Sequence, residues 1–259
     1  MDTTDPGFES LRNRGSRAFP AYHRADRNFF LLFLGLCWLG VVMGFMPAVT
    51  KRLAGQADYA APLILQIHMV AFSAWLLLLT VQIGLIRTRR TALHKKLGLT
   101  GMVLVPVMAV TALLAEVYSQ RFYFDHPPNS QAFFIIPIWY ALAFAAFAGL
   151  ALQQRRNPSA HKRLILLATT VIVGAAYARW WGHGLEQSYG DGFWGMIINT
   201  FTGTNLLLAG AVAYDLLTRR KIHLAYAIGV PAMLVGELAV SLIYHAPAWL
   251  PIARVLIGR

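Results

Sequence analysis

Residues 132–182 read AFFIIPIWYALAFAAFAGLALQQRRNPSAHKRLILLATTVIVGAAYARWWG. Two apolar runs flank one basic turn, which carries Arg155, Arg156, His161, Lys162 and Arg163. A run of about 20 apolar residues crosses a bilayer core of about 30 Å as a helix rising about 1.5 Å per residue. A short basic turn between two such runs returns the chain to the side it came from. The stretch therefore predicts a membrane hairpin.

Two further turns repeat this one. Arg89-Arg90-Thr-Ala-Leu-His94-Lys95 and Arg219-Arg220-Lys-Ile-His223 are each a basic pair, a few residues, then a histidine opening the next helix. Working outward, apolar runs fall at 29–49, 61–86, 97–118, 132–153, 163–182, 194–217 and 223–245. The fifth is the shortest. The expected fold is all-α: an integral membrane bundle of seven transmembrane helices, with three tandem helical hairpins after helix 1. Spans 2/3, 4/5 and 6/7 should be antiparallel neighbours joined by tight turns. Residues 1–28 read as a polar tail, 29–245 as the membrane domain and 246–259 as a short C-terminal segment.

Composition agrees. Of 259 residues, 57% are hydrophobic and 13% charged, against about 25% charged in a soluble domain. The single cysteine, Cys37, excludes a disulfide framework or a cysteine-based zinc site within one chain. The net charge of +12 does not point to nucleic acid. Its basic residues sit in short loops at span ends, as topology determinants and anionic-lipid contacts do. One set of loops holds 17 of the 23 Lys and Arg and the other set 6, which predicts a cytoplasmic N-terminus and an outer C-terminus. The expected location is the cell inner (cytoplasmic) membrane. Some 28 polar residues precede the first run, unlike a secretory signal, so that run is read as a retained helix. The orientation is opposite to that of the G-protein-coupled receptors and microbial rhodopsins, and the last span has no lysine for a retinal Schiff base.

The strings His94-Lys95-Lys96-Leu97-Gly98 and His161-Lys162-Arg163-Leu164-Ile165-Leu166-Leu167-Ala168, and Tyr214-Asp215 with the following Arg-Arg and His223, resemble those of uncharacterised bacterial multi-pass membrane proteins. The resemblance covers most of the chain from helix 1 onward. It implies topology and carries no established activity. The three turn histidines have two readings: a ring for lipid headgroups or a ligand, or residues that help begin a helix at the interface.

Counting about 1.5 Å per residue from the basic turns places the polar residues along the membrane normal. Glu237 and Asn205 come out at about 21 Å, Arg179 at about 27 Å, His68 at about 28 Å, and Glu116, His183 and His245 at about 33 Å. The half of the membrane near the basic turns should hold almost nothing charged. Intramembrane ionisable residues are costly, usually face the bundle interior and are functional candidates. Glu237 is the foremost, with no positive charge nearby in its own helix and Arg179 as the expected partner. Glu237, Ser241 and Tyr244 share a helix face. The functional reading is a proton-accepting or cation-binding carboxylate, and the structural one an ion pair or a protonated glutamate bonded across helices.

His68, Trp75 and Gln82 form a seven-residue stripe that should face other helices. His68 with His183 or His245, at similar depth, has the residue types for bis-histidine haem b. These three with His126 and Glu116 offer nitrogen and oxygen ligands for a divalent metal. Interfacial histidines with ordinary hydrogen bonds are the competing reading. Aromatic residues at the outer end, among them Trp180, Trp181, Trp194 and Trp249, suit an interfacial belt or a wall for a small apolar, quinone-like ligand. The glycine-rich stretch 182–192 reads as a mobile loop that can lid an outward cavity.

No Walker-type loop, Gly-x-Ser-x-Gly or His-Glu-x-x-His occurs. The sequence therefore names no reaction and leaves two classes standing. One is a haem- or metal-binding redox protein. The other is a non-enzymatic small-molecule transporter, sensor or accessory protein with a cavity lined by Glu237, Arg179, Glu116, Asn205 and Ser241. Beyond the lipid bilayer, the sequence identifies no partner.

Overall fold

A computed structural model describes residues 19–124 and 131–259. Within them the chain forms helices α1 Asp26–Leu53, α2 Leu63–Arg87, α3 Thr91–Gly98, α4 Gly101–Phe124, α5 Ile135–Gln153, α6 Pro158–Tyr189, α7 Phe193–Arg219, α8 Leu224–His245 and α9 Trp249–Leu256. Short 3-10 turns, Gln131–Phe134 and Gln154–Arg156, flank α5. Seven of these segments are long and apolar enough to cross a membrane. The chain is a multi-pass membrane protein.

The expected hairpin partners pack together: α2 with α4, α5 with α6, and α7 with α8. The first hairpin is not a tight turn, because α3 lies between its spans. The fifth span, expected to be the shortest, is the longest at 32 residues. Asn157 caps it, its side chain accepting from the Ala160 N–H at 3.3 Å with Pro158 in the first turn. It continues through Gly182 and Gly184, so the expected mobile loop is helical up to Tyr189. Gly190, at φ 72°, ends it.

Helix α6 is the core of the bundle. In its most apolar window 67% of residues are buried, against 22–44% in the other spans. It packs on α1, α5, α7 and α8. Without a hydrophobic drive between helices in lipid, such packing depends on small residues that bring backbones together. A Cβ on Gly44 of α1 would stand 2.1 Å from the Ala176 carbonyl oxygen of α6. A Cβ on Gly203 of α7 would stand 2.2 Å from Tyr177 of α6. The Tyr177 hydroxyl donates to the Leu36 carbonyl at 2.9 Å, and the Trp75 indole donates to Thr169 at 3.2 Å. The interior position expected for the His68 stripe is thus seen at Trp75.

The basic end is not free of acid. Asp215 of α7 is fully buried and Asp26 of α1 nearly so. The Arg163 guanidinium, 1% exposed, grips both Asp215 oxygens and also donates to Ser159. Lys162 reaches Asp26 at 2.7 Å, and Arg219 reaches both Asp26 oxygens at 2.7 and 2.9 Å. The Tyr214 hydroxyl donates to Asp26, and its ring stacks on Phe29 at 3.8 Å. Phe19 lies over Arg163, 4.4 Å from its guanidinium carbon, and edge-on to His223. Three helices are therefore tied by three cations and two carboxylates.

The turn histidines take separate roles. His223 caps α8, its Nδ1 accepting from Ala225 N–H at 3.0 Å. Burial, and then the Arg163 charge, hold its imidazolium form down. His161 meets the Ala151 carbonyl at 2.8 Å and lies 6.5 Å from the His94 ring. Arg89 and Arg220 have positive φ, 61° and 54°. They occupy the left-handed position after α2 and α7, where glycine is usual.

Replacing Asp215 with Asn leaves Arg163 buried without its counter-charge. The expected loss is about 3–5 kcal/mol, read as thermal unfolding of the detergent-solubilised chain. The double change Asp215→Leu with Arg163→Met should recover much of it. An unchanged midpoint for Asp215→Asn would remove the pair from the account.

Candidate functional site

The structure brings two of the expected pocket residues into contact. Asn205 on α7 donates through Nδ2 to Glu237 Oε2 on α8 at 2.8 Å. Glu237 is 2% exposed. Its other oxygen, Oε1, and the Asn205 carbonyl oxygen are buried without a hydrogen-bond partner. Each of the two bonded side chains thus keeps one buried acceptor unmet. Buried polar groups left unmet cost about 1–3 kcal/mol each, so native proteins seldom keep them without reason.

The surroundings are specific. Next to Glu237, Gly236 lies against the Trp139 ring of α5, where a Cβ would come within 2.0 Å. One turn on, buried Ser241 donates to the Phe193 carbonyl at 2.8 Å and ties α8 to the start of α7. The Tyr140 hydroxyl of α5 and the Thr204 hydroxyl of α7 both lie over Gly174 of α6, where a Cβ would meet them at 3.2 and 2.2 Å. Thr204 and Thr170 also hold buried hydroxyls without partners. Tyr140 and Thr170 escaped the sequence reading. Thr204 falls in the hydroxyl- and amide-rich run of α7 with Asn199, Thr200, Thr202 and Asn205, which reads more readily as packing than as a binding site.

Asn205 is also the one polar wall of an apolar groove of about 450 Å³, lined further by Leu208, Val212, Leu216, Val230 and Leu234. Leu216 and Leu234 are exposed, so the groove opens sideways. It runs along α7 and α8 from Leu216 near the basic end to Asn205 at mid-span. A lipid-soluble molecule therefore has a lateral approach to within one side chain of Glu237.

The other expected residues lie apart. Arg179 is exposed, donates to the Ala175 carbonyl at 2.9 Å and stacks over Phe45 of α1 at 4.9 Å. Among the described residues it forms no ion pair with Glu237. His68 and Glu116 lie within reach of its charge. Glu116 accepts from the Gln120 amide at 2.8 Å. His68 packs on Phe72 and leaves Nδ1 buried and unpartnered. His183 is exposed and bonded to Gln187 at 3.2 Å. Both ring nitrogens of His245 face backbone carbonyls, of Ser241 at 2.8 Å and of Asp191 at 3.1 Å. The three histidines share no neighbour in these contacts. Among the described residues no group of three His, Cys, Asp or Glu side chains is placed to hold a metal. His126 lies outside the described residues.

A structural Glu237 would cost stability when replaced, whereas one kept for binding would not. The double change Glu237→Met with Asn205→Leu removes the unmet oxygens together with the bond between the two side chains, and is expected to leave the unfolding midpoint unchanged or to raise stability by about 1 kcal/mol. A marked fall would make the Asn205–Glu237 bond a structural clamp.

No protein-family model, no curated protein and no solved structure matches this chain, so the reading of the site rests on its own geometry.

Proposed function

We propose that this chain is a non-enzymatic binding protein of the cell inner membrane, a transporter, sensor or accessory component, that takes a small membrane-soluble ligand at Glu237. The supporting observation is the pair of unmet acceptors, Glu237 Oε1 and Asn205 Oδ1, at the head of an apolar lateral groove. Buried acceptors left unmet call for a donor. The ligand class is therefore an apolar body with a donating head: a hydroxyl, a hydroquinone-type ring or a protonated amine. In its absence a proton on Glu237 fills part of the same need. The basic loops are read as cytoplasmic, because Lys and Arg collect there.

The haem or metal reading has less behind it. His245 has both nitrogens engaged, and His68 and His183 have separate surroundings. The orphaned Nδ1 of His68 is the one feature that favours it.

A lipid-soluble carbodiimide tests the site in native membranes. It reaches carboxyls from the bilayer and reacts with their protonated form to leave an N-acylurea adduct. The expected result is an adduct on the peptide carrying Glu237, absent in Glu237→Gln and slowed by a hydroquinone or long-chain alcohol that occupies the groove. An unlabelled Glu237 peptide at every pH tested would contradict the proposal.

A further inference from the structure

A second apolar groove, of about 510 Å³, runs between α2 and α4 and is lined by Ala74, Leu78, Thr100, Val103, Leu104 and Val107. It begins at Thr100, beside α3 with its exposed Lys95 and Lys96. The groove between α7 and α8 likewise begins at Leu216, one turn from Arg220. Both grooves therefore lie between the two spans of a hairpin; the α7/α8 groove begins one turn from its basic pair, and the α2/α4 groove begins just past the basic helix α3.

The same two turns hold the left-handed arginines. Arg89 and Arg220 are the non-glycine residues with positive φ among the described residues. Full helix-ending bonds hold them there: Arg90 N–H to the Leu85 carbonyl at 2.8 Å, Arg89 N–H to Ile86 at 3.1 Å, and Arg220 N–H to Leu216 at 2.9 Å. Glycine would fit these positions without strain. Arginine at both, exposed and outside every ion pair among the described residues, indicates that the guanidinium is wanted.

The charge around them has one sign. The described carboxylates at this end, Asp26 and Asp215, are buried and engaged by Lys162, Arg163 and Arg219. Among the described residues, Arg89, Arg90, Lys95, Lys96 and Arg220 remain exposed and form no ion pair. An amphiphile with an anionic head and an apolar tail matches a cationic turn above an apolar groove.

We propose that the α2/α4 and α7/α8 hairpins each hold an anionic phospholipid, its phosphate on the arginine turn and an acyl chain in the groove below. At α7/α8 the acyl chain and the small ligand of the proposed function would compete for one groove, whereas the α2/α4 site is independent of Glu237.

The test uses the full chain in bilayers of phosphatidylcholine with and without phosphatidylglycerol of the same acyl chains. Lipids retained after extraction are counted by native mass spectrometry, with unfolding temperature measured alongside. The wild-type chain should retain phosphatidylglycerol in preference and unfold at higher temperature with it. Arg89→Gly and Arg220→Gly should each cut that preference about five-fold, since one surface cation contributes about that factor. Because glycine suits the positive φ, stability in pure phosphatidylcholine should not fall. Ala213 also lines the α7/α8 groove, and Ala74→Phe with Ala213→Phe, which fill the two grooves and leave every charge, should also lower retention. Wild-type retention in the glycine variants would overturn the headgroup sites, and wild-type retention in the filled variants would overturn the grooves.

Discussion

The grip of Arg163 on Asp215, deep at the basic end of α6 and α7, is the interaction on which the rest of the bundle is set. Taking a charge out of water costs several kcal/mol, and only near-ideal pairing returns it. Arg163 and Asp215 meet that condition with two bonds, and Asp26 extends it to α1 through Lys162 and Arg219. Such a network tolerates little sliding, because a shift of one helix along its axis would leave a buried charge unpaired. It fixes the heights of α1, α6 and α7 against one another. It also leaves positive charge as the exposed charge at that end, which suits the anionic surface of a membrane.

From that fixed end the helices run into the bilayer with their contacts set by shape. Gly44 and Gly203 let α1 and α7 close on α6, and the aromatic rings of Tyr177 and Trp139 fill the seams. At mid-span this packing leaves polar atoms unmet at Glu237, Asn205, Thr204 and Thr170. The contrast between the two clusters carries the functional argument. At the basic end both carboxylates are fully engaged, as a structural network requires. Around Glu237 one bond is made and the neighbouring acceptors stay open, beside a groove that lipid can enter. A site of the first kind holds a protein together, and the second kind is the one we propose takes a ligand.

The seven spans and the hairpin pairing were legible because a run of about 20 apolar residues has few other uses, and three similar basic turns mark its reversals. The length of α6 was not. Gly182 and Gly184 read as breakers, yet they sit in a helix already committed by Asn157 and by the packing of Trp180 and Trp181 on Tyr177. Arg163 looked like one more topology residue, since nothing in the sequence shows which way a basic side chain at a span end turns. Glu237 stood out as a lone acid. Counting residues from the turns gives height but not direction around a helix. Asn205 and Glu237 came out at one height and are bonded, whereas Arg179 turns toward Phe45. The same ambiguity let His68, His183 and His245 look like a set on height alone, while each makes its contacts with its own neighbours.

The central claim, that Glu237 and Asn205 bind a small molecule drawn from the bilayer, is tested most directly by native mass spectrometry of the chain extracted gently from its own membrane. The measurement compares wild type with the double variant Glu237→Leu/Asn205→Leu. The account predicts a discrete bound mass in the small apolar alcohol, hydroquinone or amine class on the wild-type chain and its loss from the variant. Wild-type protein that carries only phospholipid, identically in both forms, would contradict it.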